Sequence, residues 1–129
     1  LRTPVSSKVA GANTLILTAA EPAAVGAAEV RRVGAEGGRP TVAAVLDVLT
    51  GCGVQCLLIE GGGQVAASFL RAGAVDRIEW FRAPILLGAE GRPGVAGLSL
   101  PKLSDAPAFR RLAVEPLGDD LWERYEKRQ

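Results

Sequence analysis

The chain has 129 residues and a net charge of +1, with 48% hydrophobic and 22% charged residues, the balance of one ordinary globular domain. That charge gives no electrostatic footprint for nucleic acid, and no apolar run approaches the ~20 residues of a membrane-spanning helix. There is no histidine, which excludes a Cys/His zinc site and removes the commonest general base. The two cysteines, Cys52 and Cys56, lack the Cys-x-x-Cys spacing of redox or zinc motifs. Cys56 starts an apolar run and is expected to be a buried thiol. A reduced, cytoplasmic protein is the simplest reading. Leu1-Arg2-Thr3-Pro4 shows no signal-peptide pattern. The absence of methionine, even at position 1, leads us to expect a chain that begins inside a longer gene product or has lost its start.

In chain order, Thr14-Leu15-Ile16-Leu17-Thr18 reads as a short buried strand. Residues 29–33 form a candidate edge strand, and Gly37-Gly38-Arg39-Pro40 a loop. Thr41 is placed to cap a helix in which Val42, Val45, Leu46 and Leu49 recur at helical spacing and Gly51 is the stop. Residues 56–59 read as a buried strand. Glycines follow, then a helix over 64–72 with Val65, Phe69 and Leu70 on one face and Gly73 as its C-cap. Strand, helix, strand, helix, strand implies βαβ crossovers and a largely parallel first part. Residues 77–87 read as one long strand with Pro84 near its midpoint, and 88–107, rich in Gly and Pro, as an irregular loop. Residues 110–116 and 121–127 alternate about the turn Gly118-Asp119-Asp120, the pattern of a β-hairpin. The expected sheet is mixed: parallel first, antiparallel at the end.

The segment that carries chemistry is Glu60-Gly61-Gly62-Gly63 between the apolar run 57–59 and the following helix. Glycine lets the backbone turn sharply and approach a ligand closely. The first N–H groups of a helix lack internal partners and its dipole favours an anion there. The arrangement suits a phosphate; a tight strand-to-helix turn with no ligand is the other reading. A Walker-type loop is excluded because no lysine follows the glycines. Gly61, Gly63 and Ala66 match Gly-x-Gly-x-x-Gly/Ala. However, the next strand ends in Ala83-Pro84 without the ribose-binding acid, and Asp76 and Glu79 lie at its start and middle. A standard Rossmann domain is therefore not expected.

These residues carry a family resemblance. The helix 42–49, Leu57-Leu58-Ile59-Glu60-Gly61-Gly62, the run from Ala67 to Asp76, Ala83-Pro84-Ile85-Leu86-Leu87-Gly88 and Gly118-Asp119-Asp120-Leu121 resemble the reductase domain of bifunctional riboflavin-biosynthesis deaminase/reductases. The resemblance extends from about Leu1 to Arg128. It implies the dihydrofolate-reductase-like α/β fold, with a parallel βαβ core and an antiparallel C-terminal hairpin. It also implies NADPH-dependent reduction of 5-amino-6-(5-phosphoribosylamino)uracil to its ribityl form. By the same resemblance, Gly61, Gly62, Gly63, Gln64, Val65, Ala66, Ala67 and Ser68 cradle the NADPH pyrophosphate. Thr18 lies near the adenosine 2′-phosphate, and Glu60 contacts the substrate sugar. Dihydrofolate reductases usually carry an apolar residue before the glycines, so Glu60 favours the riboflavin branch. An acid ending a buried strand also needs a reason to be there. Ser68 is alternatively a residue that caps or packs within its helix, and Thr18 one that simply ends a strand. Asp76 reads as structural, and Trp80 and Phe81 as core or interface.

The resemblance also implies a homodimer that uses residues 78–87 or the terminal hairpin, and a partner that is a small pyrimidine ribose phosphate. No metal is expected, and no catalytic residue can be assigned. The family's earlier Ser-x-Asp-Gly-like strand and its Thr-x-x-x-Asp-Asp-Pro-x-Leu-x-x-Arg segment have no counterpart in these 129 residues, and no zinc-deaminase motif is present. Arg2 is given no substrate role. Residues 1–129 are thus expected to be the C-terminal portion of a pyrimidine reductase domain, incomplete on its N-terminal side and weak or inactive alone. The alternatives are a dihydrofolate- or dihydropteridine-type reductase of the same fold and a non-catalytic nucleotide-binding or dimerising module.

Overall fold

The computed structural model describes residues 11–128. The N-terminal sequence Leu1-Arg2-Thr3-Pro4 lies outside them. The chain divides into two compact units, Leu1–Leu57 and Leu58–Gln129. Among the described residues no helix is long and apolar enough to cross a membrane.

In the first unit, β1 (Leu15–Thr18) and β2 (Glu29–Arg32) pair in parallel, with Thr18 opposite Arg32. The β-rich run at 14–18 forms the expected strand. The link over 19–28 contains no helix, so this parallel pair is not the helical crossover that the element order implied. Gly37-Gly38-Arg39-Pro40 is more than a loop. β3 (Ala35–Glu36) and β4 (Arg39–Pro40) pair antiparallel around Gly37 and Gly38. Both glycines have positive φ, 55° and 73°, as a two-residue type I′ hairpin turn requires.

α1 (Val42–Gly51) starts where Thr41 Oγ1 accepts a hydrogen bond from the Ala44 N–H at 3.2 Å. It ends in a Schellman arrangement. Gly53, at φ 79°, donates to Thr50 O, and Val54 donates to Leu49 O. The left-handed residue is Gly53, two positions beyond the expected stop, and Gly51 is the last helical residue. Both cysteines are exposed, so Cys56 is not the buried thiol expected from its apolar neighbours.

Residues 56–59 are not a strand: no ladder hydrogen bond among the described residues reaches them. A strand exists only by pairing, and an apolar run supplies burial preference without supplying a partner. In the second unit α2 (Gly63–Arg71) is followed by Gly73 at φ 64°. Gly73 donates to Leu70 O and Ala74 donates to Phe69 O, a second Schellman end. The buried residues of α2 are Ala67 and Phe69, whereas Val65 is exposed and Leu70 half-buried. The expected face of Val65, Phe69 and Leu70 is thus corrected at Val65, which turns back toward Gly61.

The larger sheet has the order β5 (Arg77–Arg82), β7 (Asp120–Lys127), β6 (Phe109–Leu117), all antiparallel. β5 stops at Arg82 rather than running to Leu87; Pro84 has no N–H to extend a ladder. Gly118, at φ 64°, opens the two-residue loop joining β6 to β7, and a bulge between Arg111 and Ala113 shifts the register around Leu112. The irregular segment expected over 88–107 holds only the 3-10 turns Gly88–Glu90 and Leu103–Asp105. The parallel and antiparallel pairings are both present, but as separate ladders rather than one mixed sheet.

One face of this sheet carries a polar network. Glu123 is buried at 5% exposure; it accepts from Arg82 Nε at 2.7 Å and from the Tyr125 hydroxyl at 2.9 Å. The Tyr125 hydroxyl, then Arg82, hold the Glu123 carboxyl below its usual range against the opposing effect of burial. On the other face, Phe81 stacks on Trp122 with ring centroids 6.3 Å apart. Glu79 accepts from Trp122 Nε1 at 2.6 Å and from Arg124 Nε at 3.0 Å. Glu79 is thereby tied into the sheet.

Candidate functional site

The glycine turn sits at the start of α2, and its three glycines have different surroundings. A Cβ on Gly61 would lie 2.8 Å from the Val65 Cβ. One on Gly63 would lie 2.5 Å from Pro93 O and 3.1 Å from Ala96 N, where Ala96 N also donates to Gly63 O at 3.0 Å. These two glycines are explained by the chain's own packing. Gly62 is not. Its φ of −63° and ψ of 171° suit any residue, and among the described residues nothing lies within 4 Å of its Cβ position.

Gly62 is also the N-cap of α2, with no side chain to cap the first N–H groups and no acid in the first turn. Its carbonyl accepts from Val65 and Ala66. Among the described residues, the N–H groups of Gly62, Gly63 and Gln64 find no backbone acceptor. Together with the helix dipole they form a donor set for an anion, beside the open space at Gly62. Gln64 is exposed and Ala66 half-buried. Ala67 is fully buried, which makes its side chain part of the packing beneath the turn. The Ser68 hydroxyl donates to Gln64 O at 3.0 Å and accepts from Arg71 Nη2 at 3.2 Å.

Glu60 is exposed. The expectation that burial demands a partner for it is therefore corrected: water already solvates the carboxylate, and no desolvation cost has to be offset. Thr18 lies in the first unit, at the end of β1. Its Oγ1 accepts from the Ala20 N–H at 3.1 Å and its carbonyl from Val33 N–H. Arg32, opposite it in register, pairs with Glu21. The loop over 93–97 was missed by sequence reasoning: it packs on Gly63, and Gly97 O accepts from Arg71 Nη1 at 2.9 Å. Gly94 and Gly97 were its only signal, and a glycine-rich run does not say what it folds against.

A family model described as the RibD C-terminal domain matches residues 1–122. The chain belongs to this family. Among curated relatives it is similar to the riboflavin biosynthesis protein RibD of Bacillus amyloliquefaciens. They are 31% identical over 78 residues, which covers 60% of this chain and 21% of that protein. It is also similar to the 2,5-diamino-6-ribosylamino-4(3H)-pyrimidinone 5′-phosphate reductase of Methanothermobacter thermautotrophicus, with 32% identity over 82 residues, 63% of this chain and 38% of that one. Among solved structures, Acinetobacter baumannii RibD superposes with a TM-score of 0.77 at 19% identity, over 98% of this chain and 35% of that chain. A pyrimidine reductase-like protein from Corynebacterium diphtheriae gives a TM-score of 0.69 at 17% identity, over 99% and 58%. These superpositions establish the RibD reductase fold, the dihydrofolate-reductase-like α/β class, for this RibD C-terminal domain chain. The aligned regions span less than two thirds of each of these relatives.

Proposed function

We propose that this chain is the C-terminal portion of an NADPH-dependent pyrimidine reductase of riboflavin biosynthesis, acting on 5-amino-6-(5-phosphoribosylamino)uracil. Family membership supports the pathway, and the relative named as a pyrimidinone phosphate reductase supports the reaction class. The observation that carries the cofactor site is Gly62: glycine there is not needed for backbone geometry or packing, and its side-chain space is open beside free helix N–H groups. These residues fit a dinucleotide pyrophosphate. When bound, the nicotinamide supplies hydride, and the protein supplies binding and orientation.

In this reading the backbone N–H groups at 62–64 hold the pyrophosphate. Gly61 and Gly63 let the turn close against Val65 and the 93–96 backbone. Gln64, Val65, Ala66, Ala67 and Ser68 form the helix that presents those donors. The family resemblance alone assigns Thr18, in the first unit, to the 2′-phosphate, and it assigns Glu60 to hydrogen bonds from the substrate sugar. The protein acts in the cytoplasm as a homodimer. The exposed apolar residues Phe81, Ile85, Leu86 and Leu87, from 63% to fully exposed, support that assembly, because such a patch marks an interaction surface.

The test is reductase turnover by the full natural protein, followed as NADPH consumption with the pyrimidine substrate. Glu60→Ala is expected to raise KM for the pyrimidine at least tenfold while leaving NADPH affinity unchanged. No turnover of this substrate by the natural protein would overturn the reading, and an unchanged KM would remove Glu60 from the site.

A further inference from the structure

The second unit holds a wide charged cavity that the glycine turn does not use. It measures about 960 Å³ and is lined by Asp76, Arg77, Arg110, Glu126, Lys127 and Arg128. Sheet register explains why these groups meet. Arg77 and Arg110 are both opposite Glu126, so a single acid has an arginine facing it in register on each flanking strand. Glu126 pairs with Arg110 at 2.9 Å. The Arg128 N–H donates to Ala108 O, which extends the ladder by one step and brings a third arginine to the rim. Lys127 reaches back so that its Nζ donates to Gly73 O at 2.7 Å, at the C-terminal end of α2.

Three arginines and two acids are among the lining residues, and the Lys127 ammonium is engaged at Gly73 O, although the whole chain carries only +1. Local excess of one sign inside a cavity concentrates counter-ions of the other sign. Guanidinium groups match phosphate oxygens in bidentate geometry. The volume falls within the range of about 300–1,000 Å³ typical of small-molecule sites, and it is far larger than one phosphate needs. α2 is nine residues long, about 13 Å at 1.5 Å per residue, and the cavity adjoins its C-terminal end while the glycine turn forms its N-terminal end.

We propose that this cavity is a second anion site, one that binds a multiply charged phosphorylated small molecule through Arg77, Arg110 and Arg128. It is separate from the cofactor turn, and it stands whether or not the reductase reading does. The compact, mixed-sign lining favours a small phosphate ester over a nucleic acid, which needs an extended basic stripe.

Calorimetric titration of the full natural protein with inorganic pyrophosphate at fixed ionic strength tests this. Saturable binding is expected, with a component that depends on these arginines. The double variant Arg77→Ala/Arg128→Ala should weaken it at least tenfold with an unchanged far-ultraviolet dichroism spectrum. Arg77→Gln/Arg128→Gln, which keeps a polar side chain without the charge, should lose as much. Absence of saturable binding, or undiminished binding in either double variant, would overturn the proposal.

Discussion

Substitutions at Gly62 and Gly63 are expected to separate ligand binding from folding. An alanine Cβ at Gly63 would meet Pro93 O at 2.5 Å and Ala96 N at 3.1 Å. Both are backbone atoms, so relief requires moving the loop rather than rotating a side chain. Overpacking of this kind costs about 1–3 kcal/mol. Replacing glycine also restricts the unfolded chain, which returns about 0.4–1 kcal/mol. Gly63→Ala should therefore lose about 1 kcal/mol net. Gly62→Val meets no atom of the described residues within 4 Å at its Cβ, and its backbone is extended, so stability should stay within about 0.5 kcal/mol of the parent. Its branched side chain would fill the space before the free N–H groups. NADPH affinity of the full natural protein should then fall at least tenfold, about 1.4 kcal/mol. Urea denaturation of both variants and fluorescence titration with NADPH read the two effects. Unchanged affinity in Gly62→Val would refute the cofactor assignment. Unchanged stability in Gly63→Ala would refute the close packing of the 93–96 backbone on the turn.

Thr41→Ala removes the only side-chain cap of α1 and should cost about 0.5–2 kcal/mol in chemical denaturation. Glu123 has a depressed folded-state pKa, caused first by the Tyr125 hydroxyl and then by Arg82. Its contribution is full above the ordinary carboxyl range of about 4.3 and is lost as pH falls through the lower folded value. Melting temperature measured against pH should therefore fall less steeply in acid for Glu123→Gln than for the parent. The homodimer predicts a dimeric mass in sedimentation at micromolar concentration, shifted toward monomer by Leu86→Lys. A parent that sediments as a monomer would contradict it.

The local devices were legible in the residues. Thr41 before an apolar helical pattern, Gly73 after one and Gly118 between two alternating runs each encode their geometry within a few positions, because capping and positive φ depend on near neighbours. The Glu60–Gly63 turn into a helix and the family resemblance were legible for the same reason: both reside in contiguous residues. Tertiary structure alone decided the rest. Residues 56–59 have strand composition but no ladder partner among the described residues, and Cys56 and Glu60 are exposed because burial depends on what packs alongside. The 93–97 loop became part of the turn through contacts some thirty positions away in sequence, and the Arg77–Glu126–Arg110 row through a register that no single strand contains. Sequence set the turns and caps, where each residue answers to its neighbours. Pairing and burial were settled only by distant parts of the chain, and with them which of three adjacent glycines was left open to a ligand.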